Sequence, residues 1–416
     1  MKYIVAFALL LCTGLTSAQV FVPGKPAENG MSADRLARID QYINDLMSKK
    51  AIPGAVVFIA RNGKVMLHKA YGYSDVERQK AMRRDDIFRI ASQTKAITSL
   101  AVMMLVEEGK FTLDEPISKY IPEFKSPTVL KTLNWSDTTY STIPAQSEIT
   151  IRQLLTHSSG IDYAGIGSQE FKAIYAKKKI PSGIGNDKDV LADRMKALGT
   201  LPLKHQPGEQ FTYSLSIDVL GYLVETVSGM SLDEFFRKRI FMPLGMNDTY
   251  FYLPKEKHDR LVRLYSNRNG LVKLEDKVFD GVNVDYPTLA GTYYSGGAGL
   301  SSTIEDYAKF LQLFINKGEF NGVRLLSRKT VELMLTNQLQ PPITTAFGLG
   351  FSLETNANDH QSIYSVGSFS WGGAFNTQYW GDPREKLVAL IYTNIYGNTV
   401  NTAERFKMLT YAAIID

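Results

Sequence analysis

The segment that most constrains the fold is a long apolar run directly after a serine–lysine pair. Ser92-Gln-Thr-Lys95 is the only Ser-x-x-Lys in the 416 residues, and residues 96–106 after it are almost wholly apolar. A helix that is apolar on every side must be buried, so this segment predicts a helix at the centre of a large core. We expect it to end at Gly109, because glycine commonly terminates helices.

The same spacing has chemical consequences. Residues three apart share one face of a helix, so the Lys95 ammonium lies beside the Ser92 hydroxyl. Burial disfavours a charged lysine, and a serine hydroxyl becomes a nucleophile when a base takes its proton. The Ser92 N–H, at the helix start, is free to bind an oxyanion. The alternative is that Ser92 only caps the helix and Lys95 is solvated, since so short a motif is weak on its own.

The first residues predict a signal peptide. Lys2 precedes an apolar stretch over 4–12, and Thr16-Ser17-Ala18 supplies small residues for cleavage after Ala18. Residues 1–18 are too short for a membrane span, and Leu11 is too large to precede the lipidated cysteine of a lipoprotein. No later run is long and apolar enough to cross a bilayer, so we expect an exported protein, periplasmic or secreted.

Composition excludes several classes of function. Cys12 is the only cysteine and leaves with the signal peptide, so the mature chain has no disulfide and no thiolate site. The 47 basic and 42 acidic residues are interspersed and give a net charge of +5, which does not indicate nucleic-acid binding. The histidines lack metal-ligand spacing, and no Gly-x-Ser-x-Gly is present. We expect no metal and no cofactor.

Apolar periodicity predicts an α+β fold. Residues 33–49 form an amphipathic helix, and two β-rich runs, 54–60 and 64–70, flank an Asn-Gly turn. Strand patterns return only near the C-terminus, at 348–353, 374–380 and 387–392, before a helix over 402–413. We therefore expect one antiparallel sheet built from the N- and C-terminal segments and flanked by helices, with a mostly helical inserted domain. The predicted boundaries are 19–90 with 295–416 for the sheet domain and 91–294 for the helical domain.

The inserted region has helical patterns separated by irregular segments. Two stretches, near 125–148 and 160–186, are rich in Ser, Thr, Gly, Pro and Lys. We interpret them as long loops or lids, since long loops in a compact protein are usually functional or mobile. The predicted helices of this region and the two that follow it are 149–156, 168–178, 187–198, 215–229, 231–239, 302–316 and 327–337.

Three further segments matter in combination: Tyr213-Ser-Leu215, Ser295-Gly-Gly and Trp371-Gly-Gly-Ala374. Read individually, they are a packed tyrosine and tight turns. Together with Ser92-x-x-Lys95, in this order, they resemble the motifs of the penicillin-recognising serine hydrolases, which include class C β-lactamases, DD-peptidases and family VIII carboxylesterases. The resemblance extends from about residue 30 to 415, and segments 154–160 and 243–246 match further structural signatures of the group.

The resemblance implies a role for each matching position. Ser92 corresponds to the nucleophile, Lys95 to the residue that relays its proton, and Tyr213 to the tyrosine of the second motif. The backbone N–H groups of Ser92 and Ala374 correspond to the oxyanion hole. Whether Lys95 or Tyr213 takes the Ser92 proton stays open at this point, and the two can titrate as a coupled pair. His157 occupies a position that is a structural turn in the family.

Two departures from the β-lactamase pattern bear on the substrate. The third motif usually begins with lysine or histidine, but here uncharged Trp371 precedes Gly372 and Gly373. Class C enzymes have asparagine two residues after the tyrosine, whereas Leu215 cannot hydrogen-bond. Both changes favour a neutral, apolar acyl group, and both are forms seen in family VIII carboxylesterases. The predicted substrate-binding residues are Trp371, Gly372, Gly373 and Leu215.

These observations predict an exported serine esterase that cleaves small-molecule esters with short or medium acyl groups through a Ser92 acyl-enzyme. A weak β-lactamase or D-amino-acid peptidase (DD-peptidase) is an alternative on the same site, and an acyl transferase differs only in replacing water by an alcohol. A non-catalytic penicillin-fold binding protein is the alternative of another class. It should have lost the nucleophile or its lysine, and both are present.

Overall fold

The computed structural model describes residues 21–184, 188–278 and 281–416, so the predicted signal peptide, residues 1–18, lies outside the described residues. Eight of the strands form one large sheet, and the others pair in twos. In chain order the strands are β1 Val22–Pro23, β2 Gly54–Arg61, β3 Lys64–Asp75, β4 Lys80–Ala81, β5 Phe88–Arg89, β6 Thr128–Asn134, β7 Thr139–Pro144, β8 Tyr265–Ser266, β9 Val272–Lys273, β10 Lys277–Val278, β11 Val282–Asn283, β12 Ser301–Ser302, β13 Glu319–Phe320, β14 Val323–Arg324, β15 Ser352–Leu353, β16 Phe369–Gly373, β17 Thr377–Asp382 and β18 Leu387–Tyr392.

The large sheet joins the two ends of the chain. Its strand order is β1-β3-β2-β18-β17-β16-β15, and β4 pairs with β3. The junction is the antiparallel pair β2–β18, whose register runs from Val56↔Tyr392 to Arg61↔Leu387. Only the two-residue β1 pairs in parallel within this sheet. The predicted fold class, an antiparallel sheet of N- and C-terminal segments flanked by helices, is confirmed.

Helices cover both faces of the large sheet. Other helices lie in the part of the sequence between its N-terminal and its C-terminal strands. None of the helices in the described ranges is both long enough and apolar enough to cross a membrane. The α-helices are α1 Ala33–Ser48, α2 Thr94–Glu107, α3 Ile151–Leu155, α4 Gln169–Lys177, α5 Leu191–Gly199, α6 Ser216–Ser228, α7 Leu232–Phe236, α8 Met242–Leu244, α9 Ile304–Ile315, α10 Arg328–Met334 and α11 Thr402–Ala412.

Strand β2 is buried along its whole length because the sheet is covered on both sides. Side chains of a strand alternate between the two faces. Val57 and Ile59 pack in a cluster with residues of α1 and α11. Val56 and Phe58 point the other way, into the larger core shared with α2, α6 and α9. Complete burial of such a side chain contributes about 1.5–3 kcal/mol, so this strand is a main source of stability.

Helix α2 is the predicted central helix. All of its residues from Thr94 to Leu105 are buried. The helix ends where Gly109 takes a left-handed conformation (φ 70°), as expected. A short 3₁₀ turn, Ala91–Gln93, precedes the helix and contains Ser92. The predicted position of Ser92 at the start of a buried helix is therefore correct to within one turn.

The segment near 125–148 differs from the expected long loop. It contains the β6–β7 hairpin, with pairs from Thr128↔Pro144 to Asn134↔Thr139. Thr, Val, Leu, Tyr and Ile favour strands, and the turn is closed locally: the Asp137 carboxylate accepts a hydrogen bond from the Thr139 N–H at 2.9 Å. In the other irregular stretch, α4 confirms the predicted helix over 168–178.

Of the three predicted C-terminal strands, 387–392 matches β18, and the other two begin or end at different residues. The expected strand 374–380 starts at Thr377, because Asn376 is left-handed (φ 57°) and its N–H bonds the Gly373 carbonyl in a turn. Of the expected strand 348–353 only β15 forms, since Gly350 has φ 102° and breaks the extended run. The β16–β17 turn therefore places Ala374 at the end of the sheet.

Candidate active site

Ser92 lies in a strained turn at the wall of a cavity. Ala91, directly before it, has φ 42°, a conformation that costs a non-glycine residue about 1–2 kcal/mol. Thr94 maintains the turn: its hydroxyl donates to the Ala91 carbonyl at 2.7 Å and accepts from the Leu300 N–H at 3.1 Å. The turn presents Ser92 to a cavity of about 520 Å³. Strain supported by its surroundings is common at functional sites.

Lys95 lies beneath Ser92 and is 3% exposed. Its Nζ is 3.4 Å from the Ser92 Oγ and 3.4 Å from the Tyr163 hydroxyl, and it donates to the Gly297 carbonyl at 2.7 Å. The ammonium also lies over the face of the Tyr213 ring, 4.5 Å from its centroid, which is an attractive cation–π geometry. Lys95 is therefore held in one position within reach of the serine.

Tyr213 completes the group. Its hydroxyl oxygen is 2.6 Å from the Ser92 Oγ, and a hydroxyl can donate or accept. The ring stacks on Tyr163 with 5.5 Å between centroids. The Tyr213 hydroxyl and the Lys95 Nζ both donate to the Ser92 Oγ, and either one, once deprotonated, can accept the Ser92 proton. Ser92 and Lys95, neighbours in sequence, thus form one hydrogen-bonded set with the distant Tyr213, as expected for activation of a serine nucleophile.

His157 supports the Tyr213 segment and is fully buried. Its carbonyl accepts from the Thr212 N–H at 2.7 Å, and its Nδ1 accepts from the Ser214 N–H at 3.2 Å. The two bonds flank Tyr213 on either side. Burial, together with the nearby Lys95 charge, holds the pKa of the imidazole well below its usual range, so the ring is neutral. This arrangement agrees with the structural role expected for His157.

The end of β16 approaches the serine turn very closely. A Cβ on Gly373 would lie 2.3 Å from the Ile90 carbonyl oxygen, a distance that real side chains do not adopt, so only glycine allows this contact. The next residue, Ala374, lines the same cavity as Ser92. Gly373 therefore acts through backbone packing, and Ala374 follows it in the wall of the cavity that contains Ser92.

The cavity wall consists of aromatic, small and neutral polar residues. Trp371 packs against Tyr213 at 5.6 Å and edge-on against Phe347 at 5.4 Å. Gln378 lies under Gly372, where an added Cβ would come within 2.4 Å of its amide. No charged side chain of the described residues lines this cavity. Its lining residues are Ser92, Ile166, Tyr213, Ser352, Tyr364, Ser370, Trp371, Gly372, Ala374, Gln378, Tyr379, Trp380 and Ala403.

One predicted substrate contact is wrong. Leu215 is 0% exposed and packs in the main hydrophobic core. Its N–H bonds the Asp162 carbonyl at 3.3 Å at the start of α6, and this turn directs the side chain inward. Leu215 is absent from the lining of the cavity. It stabilises the segment that carries Tyr213 without reaching a bound molecule.

The sequence patterns do not identify three residues that lie in or beside the site: Tyr163, Gln378 and Asp218. Tyr163 lies in a segment without periodicity, and nothing in its surroundings singled it out. Gln378 is an ordinary polar residue of a strand. The sequence does distinguish Asp218, because it is a carboxylate inside the apolar helix α6; in the structure it is fully buried. A charged residue within an apolar helix rarely lies in a core without a partner.

A family model described as Beta-lactamase matches residues 39–412. The chain belongs to the β-lactamase family. Two curated members of similar length are Protein Rv1367c of Mycobacterium tuberculosis, 33% identical over 363 residues (84% of this chain, 87% of the relative), and Esterase EstB of Burkholderia gladioli, 28% identical over 385 residues (87% and 91%). The predicted family is thus confirmed.

Solved structures of this β-lactamase family fold superpose over nearly the whole chain. EstCE1, a hydrolase with promiscuous acyltransferase activity, has a TM-score of 0.78 at 26% identity and covers 92% of this chain and 99% of its own. Simvastatin synthase (LovD) from Aspergillus terreus has a TM-score of 0.76 at 23% identity, covering 92% and 99%, and shows the fold alone. The protein is a β-lactamase-fold serine hydrolase with esterase and acyltransferase neighbours.

Proposed function

We propose that this protein is a serine carboxylesterase that cleaves neutral esters with short or medium acyl groups, with Ser92 as the nucleophile. The observation that carries the proposal is the cavity around Ser92, whose described lining has no charged side chain. A β-lactam or a peptide C-terminus brings a carboxylate, and burial of a carboxylate without a partner is costly. An ester brings no charge, and its apolar acyl chain matches walls such as Trp371 and Tyr364.

In the proposed mechanism, the Ser92 oxygen attacks the ester carbonyl while its proton passes to the Tyr213–Lys95 pair. The N–H groups of Ser92 and Ala374 bind the oxyanion, since backbone donors stabilise charge that develops in the transition state. The alcohol leaves with a proton from the same pair. Water then attacks the acyl-enzyme, delivers a proton to the pair, and releases the acid with Ser92 restored.

Parallel assays test this proposal. We expect rapid hydrolysis of p-nitrophenyl acetate, butyrate and octanoate, with weak or absent cleavage of the β-lactam nitrocefin, because only the esters are uncharged. The relative hydrolysis rates for the three esters show how long an acyl chain the site accepts. Dominant nitrocefin turnover would instead assign the site to β-lactam or peptide chemistry. The Ser92→Ala variant is the control for every substrate.

Acyl transfer is the second candidate, favoured by the likeness to EstCE1, a hydrolase with promiscuous acyltransferase activity. The same acyl-enzyme would be attacked by an alcohol in place of water. Addition of a primary alcohol to the p-nitrophenyl butyrate reaction distinguishes the two: a transferase forms the new butyrate ester at the expense of free butyrate.

Export is also part of our proposal and rests on residues 1–18. N-terminal sequencing of the mature protein, with Gln19 expected as the first residue, tests it.

We expect Trp371→Lys to shift the substrate preference toward carboxylated esters. The aromatic contacts of Trp371 with Tyr213 and Phe347 favour an apolar substrate, whereas a lysine at the same place attracts an anion. The ratio of kcat/KM for a succinate monoester to that for butyrate should rise by roughly tenfold. Trp371→Met is the matched control, since it loses the aromatic area and gains no charge. Equal ratios in the two variants would show that residue 371 does not set charge selectivity.

A further inference from the structure

A buried carboxylate lies behind the catalytic group formed by Ser92, Lys95 and Tyr213, on the side away from the cavity. Asp218 is 0% exposed, in the first turn of α6. Its Oδ1 accepts from the Ser295 hydroxyl at 2.6 Å, and Ser295 in turn accepts from the Ala298 N–H at 3.0 Å. The Gly297 N–H lies near this carboxylate and favours its charged form, but the buried Oδ2 accepts no hydrogen bond of full geometry from the described residues. A buried anionic oxygen without a hydrogen bond needs another source of stabilisation.

The Lys95 ammonium has the complementary requirement. Its only short hydrogen bond goes to the Gly297 carbonyl, and within the described parts of the chain no carboxylate lies within ion-pair distance of it. Gly297 lies between the two charges: a Cβ there would be 2.4 Å from the Asp218 Oδ2 and 3.6 Å from the Lys95 Nζ. The charges are thus within about 6 Å in a region without solvent, where attraction is weakly screened.

We infer that Asp218 is a positioning residue whose charge balances the proton shared by Lys95 and Tyr213, with Ser295 orienting the carboxylate. The inference rests on the proposed function. Asp218 acts from behind Gly297 and does not line the cavity, so it affects proton transfer and leaves substrate binding alone. Gly297 suits this arrangement, because any side chain at that position would displace the carboxylate from the lysine.

Three buried titratable groups around Asp218 and Lys95, namely His157, Tyr163 and Tyr293, are neutral. Burial raises the pKa of the Tyr163 and Tyr293 phenols well above their usual range, and burial lowers the pKa of the His157 imidazole. Burial also raises the pKa of Asp218, but the Ser295 hydrogen bond and the Lys95 charge oppose that rise. The groups that face the two charges from the elements packed around them are Ser92, His157, Tyr163, Tyr213, Tyr293 and Ser295.

The pH dependence of Asp218→Asn tests the inference. Without the negative charge the catalytic group holds its proton less tightly, so the acidic limb of kcat/KM should move to lower pH by about one unit or more. A group that binds its proton less tightly is a weaker base, and kcat at the optimum should fall about tenfold. KM for p-nitrophenyl butyrate should change by less than about twofold, because the carboxylate lies outside the cavity.

The matched control is Asp306→Asn. Asp306 is also a buried aspartate beside a lysine, Lys309 at 3.0 Å, but on α9 and away from Ser92. Its loss should lower thermal stability and leave the pH limb in place. If Asp218→Asn fails to fold, Ser295→Ala decides the question, since it weakens the charged form of Asp218 and should shift the limb in the same direction by a smaller amount. The inference is overturned if folded Asp218→Asn shows the acidic limb of kcat/KM at the wild-type pH. If that variant does not fold, the same result for Ser295→Ala overturns it.

A second reaction separates this inference from the proposed function. An ethyl p-nitrophenyl alkylphosphonate, which is neutral like an ester, reacts once with an activated serine: the Ser92 oxygen bonds to phosphorus, p-nitrophenolate leaves, and the serine proton passes to the Lys95–Tyr213 group. The rate of this step against pH should show the same shift in Asp218→Asn. If the wild type is phosphonylated with that shift between variants but does not hydrolyse esters, the proposed esterase fails and the role of Asp218 stands.

Discussion

Replacement of Ser92 by alanine is expected to lower ester turnover by at least about 10⁴-fold, because no other serine in the described lining of the cavity bonds Lys95. The fold should persist. The substitution removes a hydroxyl from a half-buried turn and leaves the Tyr213 phenol without one partner, which costs about 1 kcal/mol. The kcat for p-nitrophenyl butyrate and the free energy of unfolding in urea measure the two effects on the same preparation.

Ser99→Ala is the matched control for that substitution. Ser99 lies on α2, the helix that follows the Ser92 turn, is fully buried, and has a hydroxyl without a hydrogen-bond partner among the described residues. The variant should retain kcat within about twofold, since loss of an unpaired buried hydroxyl is nearly neutral for stability. Retention of substantial hydrolysis by Ser92→Ala, with Ser99→Ala normal, would refute Ser92 as the nucleophile.

Lys95→Met should lower kcat by about 10²–10⁴-fold with little change in KM, because it removes a positioned proton acceptor and lies beneath the cavity wall. Methionine keeps the length and apolar stem of lysine, so packing in α2 is preserved. The Gly297 carbonyl loses its 2.7 Å hydrogen bond, and an unpaired buried group costs about 1–3 kcal/mol. Steady-state kinetics together with urea unfolding separate the catalytic loss from the loss of stability.

Lys309→Met provides a parallel loss elsewhere. Lys309 is also buried, and its Nζ also donates to a glycine carbonyl, that of Gly245, at 2.7 Å. We expect a loss of stability at least as large, because Asp306 also loses its ion pair at 3.0 Å, with kcat within about twofold of the wild type. If both variants lose the same fraction of kcat, instability explains the effect; if Lys95→Met keeps more than about a tenth of kcat, Tyr213 alone serves as the base.

The fold was largely predictable because its strongest patterns agree with its packing. Strands β2 and β3 flank an Asn62-Gly63 turn, and the apolar run of α2 is stable only when it is buried in the core. The errors arose where backbone conformation overrode composition. Gly350 and Asn376 take left-handed conformations that interrupt apolar runs which otherwise favour strands. The length of the alternating apolar runs alone did not reveal these breaks.

The candidate site was predictable only where its chemistry is local. Ser92 and Lys95 are one helical turn apart, so their proximity follows from spacing, and the resemblance supplied Tyr213 and Ala374. Tyr163 and Asp218 reach the site through tertiary contacts that no local pattern encodes. Leu215 was misplaced for the same reason: its place in the chain suggests the cavity, but the turn before α6 directs it into the core.

The order of strands in the large sheet determines when the protein can fold. The β2–β18 ladder joins residues more than 300 positions apart, so the central strand pair cannot form until nearly the whole chain has been synthesised. Contacts between such distant segments slow folding. Until then β2, whose residues 54–60 carry no polar side chain, lacks its neighbour β18, and unpaired apolar edges promote aggregation. Loss of even the last thirty residues would remove β18 and leave that edge exposed permanently.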